Sequence, residues 1–323
     1  MASAEDDLIA QYFRPLATHA GALGLIDDAA VLAASSEDIV VTTDAIVEGV
    51  HFLPGDPPET LARKALRVNL SDLAAKGAAP AGFVLTLALR EVNERWLAPF
   101  AQALGEDAAI YNCPLLGGDT VSTPGPLMIS VTIFGKLPAG TMVRRDGAKP
   151  DDIIAVTGTI GDAALGLACL KGKKLLDDAS ACETLVARYR TPQPRNALAE
   201  IIRTHANAAM DISDGLAGDL AKLCAASKVS ATVEASAIPF SDQAERILSS
   251  GAAGVEMLIA GGDDYEILCT VPENHWDAFR EAARATGVAV TGIGRVQNGH
   301  AAPVFLDVSG MPIALKRLSY SHF

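Results

Sequence analysis

The stretch "AAMDISDGLAGDL" places three carboxylates, Asp211, Asp214 and Asp219, among apolar residues. Like charges at this spacing repel one another, so either solvent at a helix start or a bound cation must offset them. A helix start is the simpler interpretation of Asp211 and Asp214, because aspartate is a common N-cap residue. Asp219 follows Asp214 by five residues, which predicts that it lies on another face of the helix.

Aspartate recurs beside glycine or a short hydroxyl side chain in several other places. The segments "LIDDAAV", "VTTDAIVEGVHF", "LLGGDTV" and "IAGGDDYEIL" hold Asp27, Asp28, Asp44, Asp119, Asp263, Asp264 and Glu266. Each segment is expected at the end of a strand, and alone each would be an ordinary turn. A further acid, Asp72, shares one face of a predicted helix with Asn69 and Lys76. So many separate acidic positions favour a shared role over independent turns.

This oxygen-rich pattern is typical of hard cations. Mg²⁺ binds oxygen ligands, retains several waters and commonly uses one or two carboxylates together with substrate phosphates. The chain has no G-x-x-x-x-G-K-[ST] loop and no G-x-G-x-x-G motif that would hold phosphates directly. Its six histidines form no H-E-x-x-H motif, which argues against a zinc hydrolase. The pattern predicts that Mg²⁺ ions bridge the acidic chain to a polyphosphate.

Composition narrows the class of protein. The 323 residues include 26 lysines and arginines against 39 aspartates and glutamates, for a net charge of −13. That charge disfavours nucleic acid as a partner, because a phosphate backbone attracts basic proteins. No membrane association is expected, because the start lacks the features of a signal peptide and the run "AGFVLTLAL" is too short to span a bilayer. Scattered cysteines without a CxxC pair predict reduced thiols in a cytoplasmic protein.

Strand-like and helix-like segments alternate along the chain. Strands are predicted at "DIVVTTDAI", "AGFVLTLAL", "PLMISVTIFGKL", "DIIAVTG", "ATVEASAIPF" and "EILCTVP". Helices are predicted at "ETLARKALRVNLSDLAAKGA", "ERWLAPFAQALGEDAAIYN", "DAALGLACLKG" and "GLAGDLAKLCAAS". The segment "PAGTMVRRDGAKPDD" concentrates proline, glycine and charge, and it predicts a domain boundary. We therefore expect an α/β or α+β fold with two domains, residues 1–140 and 141–323.

Six motifs in chain order, "DDAAVL", "TTDAIVEGVHF", "NLSDLAAKGAAP", "LLGGDTV", "MDISDGLAGDL" and "GGDDYEIL", resemble the thiamine-monophosphate kinase family. This family belongs to the superfamily that includes aminoimidazole ribonucleotide synthetase. The resemblance covers nearly the whole chain. It implies an N-terminal α/β domain that holds ATP and pairs with its twin in a homodimer, and a C-terminal α/β domain that closes over nucleotide and thiamine phosphate. The implied reaction is ATP + thiamine phosphate → ADP + thiamine diphosphate, assisted by several Mg²⁺ ions.

The resemblance also implies roles for individual residues. Ligands of Mg²⁺ would be Asp28, Thr42, Thr43, Asp44, Asp72, Asp119, Asp211 and Asp214, of which Asp44, Asp119, Asp211 and Asp214 would be catalytic. ATP would be contacted by Tyr111, Gly118, Asp119, Arg145 and Ser213. Thiamine monophosphate would be contacted by His51, Asp263 and Tyr320. The chain departs from the family pattern twice, because Ile26 stands where the family has glycine and Asp263 where it has glutamate.

The implied chemistry requires no general base. A phosphate monoester has a second pKa of about 6, so its attacking oxygen is already mostly deprotonated at neutral pH. Catalysis can then rest on holding two anions in line and neutralising the charge between them. Two alternatives stay open: another ATP-dependent enzyme of the superfamily, such as aminoimidazole ribonucleotide synthetase, and a non-catalytic protein that binds magnesium and nucleotide.

Overall fold

The computed structural model of the chain describes residues 8–20, 22, 36–315 and 317–319. Contacts divide the chain into two compact units. The first unit comprises residues 1–73 and 78–140, and the second comprises residues 74–77 and 141–323. Each unit has its own sheet and its own buried apolar core.

The first unit is a four-stranded sheet with two long helices. Its strands, in the spatial order β1-β4-β2-β3, are β1 Glu37–Val47, β2 Ala79–Leu89, β3 Leu115–Ser122 and β4 Met128–Pro138. β4 runs antiparallel to both of its neighbours, β1 and β2, whereas β2 and β3 are parallel. The helices are α1 Pro58–Lys76 and α2 Glu94–Ile110, preceded by short helical turns at Ile9–Phe13 and Arg14–Leu16.

Local sequence explains both ends of α1. Pro58 occupies its first position, where the missing N–H of proline has no helical partner to lose. Gly77 follows the helix at a φ of +76°, a left-handed conformation that glycine adopts readily. The N–H of Ala78 then donates to the carbonyl of Leu73 over 2.9 Å, which closes the last turn.

The sheet of the first unit buries one face and exposes apolar residues on the other. Side chains alternate between the two faces along each strand, and those of Leu85, Leu87 and Ile133 pack with both helices in the core. On the opposite face, Ile39 and Val41 of β1 are among the exposed large apolar side chains. We call this opposite side the open face, defined by Ile39, Val41, Thr43, Asp119, Val121, Thr132 and Phe134.

The second unit is a six-stranded sheet with helices between its strands. The strands, in the order β10-β7-β9-β5-β8-β6, are β5 Ile153–Thr157, β6 Ala208–Asp211, β7 Ser230–Glu234, β8 Ile267–Val271, β9 Val290–Gln297 and β10 Val304–Leu306. Only the β10–β7 pair within the described sheet is parallel. The helices are α3 Asp162–Leu170, α4 Ala179–Arg190, α5 Ala199–His205, α6 Leu216–Ser227, α7 Asp242–Ser250, α8 Val255–Ile259 and α9 Trp276–Ala285.

The predicted mixed α/β fold is confirmed, and each predicted strand and helix is present, except that the strand predicted at "ATVEASAIPF" ends at Glu234 and residues 235–237 form a short helical turn. Four strands and five helices were not predicted, namely β3, β6, β9, β10, α4, α5, α7, α8 and α9. Strands as short as β6 and β10, with 4 and 3 residues, have no periodic pattern to detect. Each helix in the described part of the chain is too short or too polar to cross a lipid bilayer.

Candidate active site

In the first unit, β1 and α1 bring Thr42 and Asp72 together. The hydroxyl of Thr42 donates to Oδ2 of Asp72 over 2.6 Å. Asp44 lies two residues further along β1, so it points to the same face as Thr42 and is exposed to solvent. Two carboxylates and a hydroxyl thus occupy the helix-covered side of the sheet near the C-terminal half of β1. All three side chains are predicted metal ligands.

Thr43 and Asp119 lie on the open face instead. The Thr43 hydroxyl donates to the carbonyl of Val131 over 3.1 Å and accepts a hydrogen bond of 2.9 Å from the Thr132 hydroxyl. Asp119 is exposed and sits beside Thr86 in the parallel β2–β3 pair. The first unit therefore presents its predicted ligands on two faces of one sheet.

The prediction that Asp44 and Asp119 end strands was wrong. Both lie inside strands, β1 and β3. The Gly117–Gly118 pair resembles a turn, but here glycine permits a close approach between strands, since a Cβ on Gly118 would lie 2.0 Å from the carbonyl oxygen of Leu85. Gly118 therefore has a packing reason that is independent of its predicted contact with ATP.

Tyr111, a predicted nucleotide contact, immediately follows α2. The guanidinium of Arg67 lies 5.6 Å from the centre of its ring. Arg67 is itself held by the fully buried Asp107, with its Nε 2.6 Å from Oδ2, and Arg63 also contacts this carboxylate. Sequence reasoning missed this buried cluster, whose only signal was the i, i+4 spacing of the two arginines.

His51, a predicted contact of thiamine monophosphate, lies in the turn after β1. Its Nδ1 accepts a hydrogen bond of 3.0 Å from the Val47 N–H, which places the proton of the neutral ring on Nε2. The buried ammonium of Lys64 donates to the His51 carbonyl over 3.1 Å. These two contacts fix the backbone of His51 and orient its ring.

In the second unit, the segment from Asp211 to Asp214 connects β6 to α6. Asp211 is the buried last residue of β6 and pairs with Ile267 of β8. Ser213 and Asp214 follow in the turn. Gly215 has a φ of +112°, and a Cβ there would lie 2.8 Å from the backbone of Ala260, so the turn packs closely against the segment before Asp263.

The ammonium of Lys222 offsets the negative charges of Asp214, in this turn, and Asp219, in α6. Lys222 Nζ lies 2.5 Å from Oδ2 of Asp214 and 2.8 Å from Oδ1 of Asp219. Asp219 is fully buried and accepts the backbone N–H of Asp214 over 2.9 Å. Burial raises the pKa of Asp219, while hydrogen bonds from Lys222 and Asp214 act in the opposite direction. Asp219 therefore belongs to the same constellation as Asp214, contrary to the prediction that it faces elsewhere.

Arg145 lies exposed beside this region of the second unit. Its carbonyl accepts the hydroxyl of Ser227 over 2.8 Å, at the end of α6. The preceding residue, Arg144, accepts the N–H of Ala209 from β6 through its carbonyl. The backbone around Arg145 is therefore anchored to both β6 and α6, the two elements that flank Asp211 and Asp214.

Asp263 lies in a loop that pairs with the Asp211–Asp214 segment. Its N–H donates to the Ser213 carbonyl over 2.8 Å, so a predicted acceptor contact and a predicted nucleotide contact are adjacent. Asp263 has a φ of +73°, which is unusual for a residue with a Cβ. The next residue, Asp264, is fully buried and accepts the Gly161 N–H over 2.8 Å. Burial holds the pKa of Asp264 well above its ordinary value.

The predicted metal-ligating side chains suit Mg²⁺ only when a bound phosphate compound supplies further oxygen ligands. Among residues 8–20, 22, 36–315 and 317–319, no three aspartate, glutamate, histidine or cysteine side chains are grouped closely enough to hold a metal ion. Single carboxylates and pairs are nevertheless what Mg²⁺ uses when phosphates and water supply its other ligands. The residues therefore fit metal ions that arrive with a polyphosphate. Asp28 and Tyr320, also predicted site residues, lie outside the described residues.

Comparison with known proteins places these observations in one family. Residues 26–137 and 149–307 match the N-terminal and C-terminal domains of AIR synthase related proteins. A thiamine-monophosphate kinase of Caulobacter vibrioides is 43% identical over 326 positions, which cover 98% of this chain and 90% of the relative.

Solved structures of thiamine-monophosphate kinases are similar to this chain as well. The thiamine-monophosphate kinase of Stenotrophomonas maltophilia K279a has a TM-score of 0.85 and 37% identity, covering 97% of this chain and 99% of its own. AaThiL complexed with AMPPCP and TMP has a TM-score of 0.78 and 31% identity, covering 92% of this chain and 91% of its own. The chain therefore belongs to the thiamine-monophosphate kinase family of AIR synthase related proteins.

Proposed function

We propose that this chain transfers the terminal phosphoryl group of ATP to thiamine monophosphate, giving ADP and thiamine diphosphate. The observation that carries the proposal is its likeness over nearly the whole chain to thiamine-monophosphate kinases, including a structure with AMPPCP and TMP bound. AMPPCP is an ATP analogue whose terminal phosphoryl group cannot be transferred, so that complex pairs a nucleotide with TMP in one protein.

We propose that Mg²⁺ is bound with the nucleotide by Asp28, Thr42, Thr43, Asp44, Asp72, Asp119, Asp211 and Asp214. The ions would neutralise the phosphates and polarise the transferred group. Tyr111, Gly118, Arg145 and Ser213 would hold the nucleotide, and His51, Asp263 and Tyr320 would hold thiamine monophosphate. In the neutral ring of His51 the proton lies on Nε2, which is the ring's hydrogen-bond donor.

In this proposal the acceptor phosphate attacks in line without a general base, because one of its oxygens already carries charge at neutral pH. The chain's part is to orient the two phosphates and to exclude other acceptors. Asp211 and Ser213 suit this task, because strand pairing and the Asp263 N–H hold their backbone rigidly.

The test is an acceptor panel with ATP and Mg²⁺. ADP release should require thiamine monophosphate, with neither thiamine nor formylglycinamidine ribonucleotide supporting turnover. Turnover with formylglycinamidine ribonucleotide would support the synthetase alternative. Nucleotide binding without turnover of any acceptor would support the non-catalytic alternative.

Asp263 should affect the acceptor and not the nucleotide. We expect Asp263→Ala to raise the KM for thiamine monophosphate about tenfold to a hundredfold while the KM for ATP changes by less than about twofold, since one lost charged contact is worth about 1.5–3 kcal/mol. Steady-state kinetics with each substrate varied measures both. If the KM for ATP rises equally, Asp263 serves the metal or the nucleotide instead.

We further propose a homodimer formed through the open face of the first unit. Val41 is 54% exposed, and Ile39 and Val121 lie exposed on the same face of the sheet. β1 is also an edge strand of 11 residues, a length that natural proteins rarely leave bare. Contiguous exposed apolar residues of this kind mark protein interfaces.

Val41→Glu should convert the dimer to a monomer. A charge among the exposed apolar residues of the open face would be desolvated on pairing, so sedimentation equilibrium should give the 33.5 kDa mass of one chain instead of twice that mass. Val308→Glu is the matched control, because Val308 is 92% exposed in the second unit. A wild-type protein that sediments as a monomer would contradict the homodimer.

We also propose a cytoplasmic location. Its support is chemical, because all five cysteines are free thiols, as expected in a reducing compartment. The Sγ atoms of Cys169 and Cys182 lie only 3.4 Å apart, so an oxidising compartment would favour their pairing.

A further inference from the structure

A buried carboxylate lies directly after the Asp263 loop and is not among the predicted site residues. Glu266 is fully buried and receives hydrogen bonds from two arginines. Arg195 binds both of its oxygens, with Nε 2.7 Å from Oε2 and Nη2 2.5 Å from Oε1, and Arg188 Nη2 lies 2.7 Å from Oε1. The hydroxyl of Thr157, at the end of β5, donates to Oε2 over 2.6 Å.

This cluster is tightly built. Gly158 follows Thr157 with a φ of +57°, and a Cβ there would lie 2.2 Å from Oε1 of Glu266 and 2.6 Å from Nη2 of Arg195. The backbone of Gly158 therefore lies directly against the carboxylate and its arginine. Charge-assisted, bidentate pairing with an arginine adds geometric specificity as well as strength.

The backbone of the same residues links the two predicted site segments. The carbonyl of Glu266 accepts the Ile212 N–H over 2.8 Å, and the Tyr265 N–H donates to the Ile212 carbonyl over 2.8 Å. With the bond from the Asp263 N–H to Ser213, three hydrogen bonds extend the β6–β8 ladder beyond its end. A displacement of the Glu266 backbone would therefore shift Asp263 relative to Ser213.

The two segments joined by these hydrogen bonds, Asp211–Asp214 and the Asp263 loop, differ in their other contacts. Asp211 ends β6, and Asp214 is tied to Asp219 and Lys222, so that segment has its own anchors. The Asp263 loop belongs to no helix or strand, and both Asp263 and Tyr265 have left-handed φ values of +73° and +51°. Such conformations persist only where neighbouring contacts impose them.

We propose that Glu266, clamped by Arg188 and Arg195, is a positioning residue that fixes Asp263 against Ser213 and so aligns the acceptor with the nucleotide. This inference rests on the proposed function for the identity of the acceptor. Glu266 is buried and acts through the loop backbone. Its loss should therefore weaken acceptor alignment more than nucleotide binding.

Glu266→Gln tests the proposal. We expect kcat/KM for thiamine monophosphate to fall at least about tenfold, because misplacement of reacting groups by about an ångström is that costly. Calorimetric affinity for Mg–ATP without acceptor should stay within about threefold. Backbone amide exchange across residues 261–266 should accelerate at least about tenfold, which tests the loop without any substrate.

Asp152→Asn is the matched control. Asp152 is a buried acid of the same unit that accepts the Lys149 N–H and the Asn207 side chain, and it precedes β5, whereas Thr157 ends that strand. It should lower the melting temperature without changing loop exchange or the KM for thiamine monophosphate. If Glu266→Gln only lowers the melting temperature in the same way, the positioning role is wrong.

A second pair of variants decides the question if Glu266→Gln does not fold. Thr157→Val removes the hydroxyl that donates to Glu266, and Thr157→Ser keeps it. The valine variant should show faster loop exchange and a lower kcat/KM for thiamine monophosphate, and the serine variant should restore both. Wild-type loop exchange and kinetics in Thr157→Val would overturn the proposal. A wild-type protein that never phosphorylates thiamine monophosphate would instead overturn the proposed function, and loop exchange would still test the clamp.

Discussion

Asp214→Asn is expected to lower kcat by on the order of a hundredfold, the scale seen when a preorganised charge-stabilising group is removed. The melting temperature without metal should change little. Asp214 and Lys222 are both partly exposed, and pairs of this kind contribute about 0.2–1 kcal/mol. The variant should also lose the rise in melting temperature that Mg–ATP gives by binding the folded state. Asp211→Asn should lower kcat similarly.

Asp219→Asn provides the contrast within the same stretch. Its carboxylate is fully buried and holds both the Asp214 N–H and Lys222, so its loss should cost about 1–3 kcal/mol of unfolding free energy with or without metal. Mg–ATP should still raise its melting temperature. Thermal melts in EDTA and in Mg–ATP, with turnover of each variant, distinguish the two patterns. Normal turnover in a destabilised Asp214→Asn variant would support the alternative that Asp214 only stabilises the start of the helix.

Removal of divalent metal should strongly weaken ATP binding. We expect calorimetric affinity for ATP to weaken at least about a hundredfold in EDTA, because a chain of net charge −13 repels a polyphosphate unless cations lie between them. Ca²⁺ should restore binding but support poor turnover, because its looser coordination relaxes the in-line geometry.

AMP is the control ligand for this measurement. It lacks the polyphosphate that the metal would bridge, so EDTA should change its affinity much less. Comparable ATP affinity with and without EDTA would show that the acidic positions serve another purpose.

Local patterns predicted much of the fold. α1 was recognisable because its apolar period, its first proline and its final glycine all act within the helix itself. β3 was missed because its glycines resemble a turn, and only the position of Leu85 shows why they suit a strand. Short strands such as β6 form because a neighbour supplies their hydrogen bonds, and a single sequence does not show that neighbour.

The sequence likewise predicted some features of the candidate site and not others. Residue types and motif order predicted which carboxylates to consider, and the acidic composition led to the hypothesis that a cation accompanies a phosphate ligand. The sequence did not show that Lys222 joins Asp214 to Asp219, because that contact depends on how the turn after β6 enters α6. Arg188 and Arg195 had no recognisable pattern, since they meet Glu266 across more than 70 residues of chain.

The sequence by itself determined the family, the α/β class and the chemical character of the site, because these depend on residue types, their order and short-range periodicity. Tertiary structure decided which acids are exposed and which are buried or paired. It placed Thr42 and Asp72 in contact, turned Thr43 and Asp119 to the other face of the sheet, and buried Asp219 and Glu266. The physical reason is that burial and partnership of a charge depend on residues distant in the chain, which meet only when the sheets form.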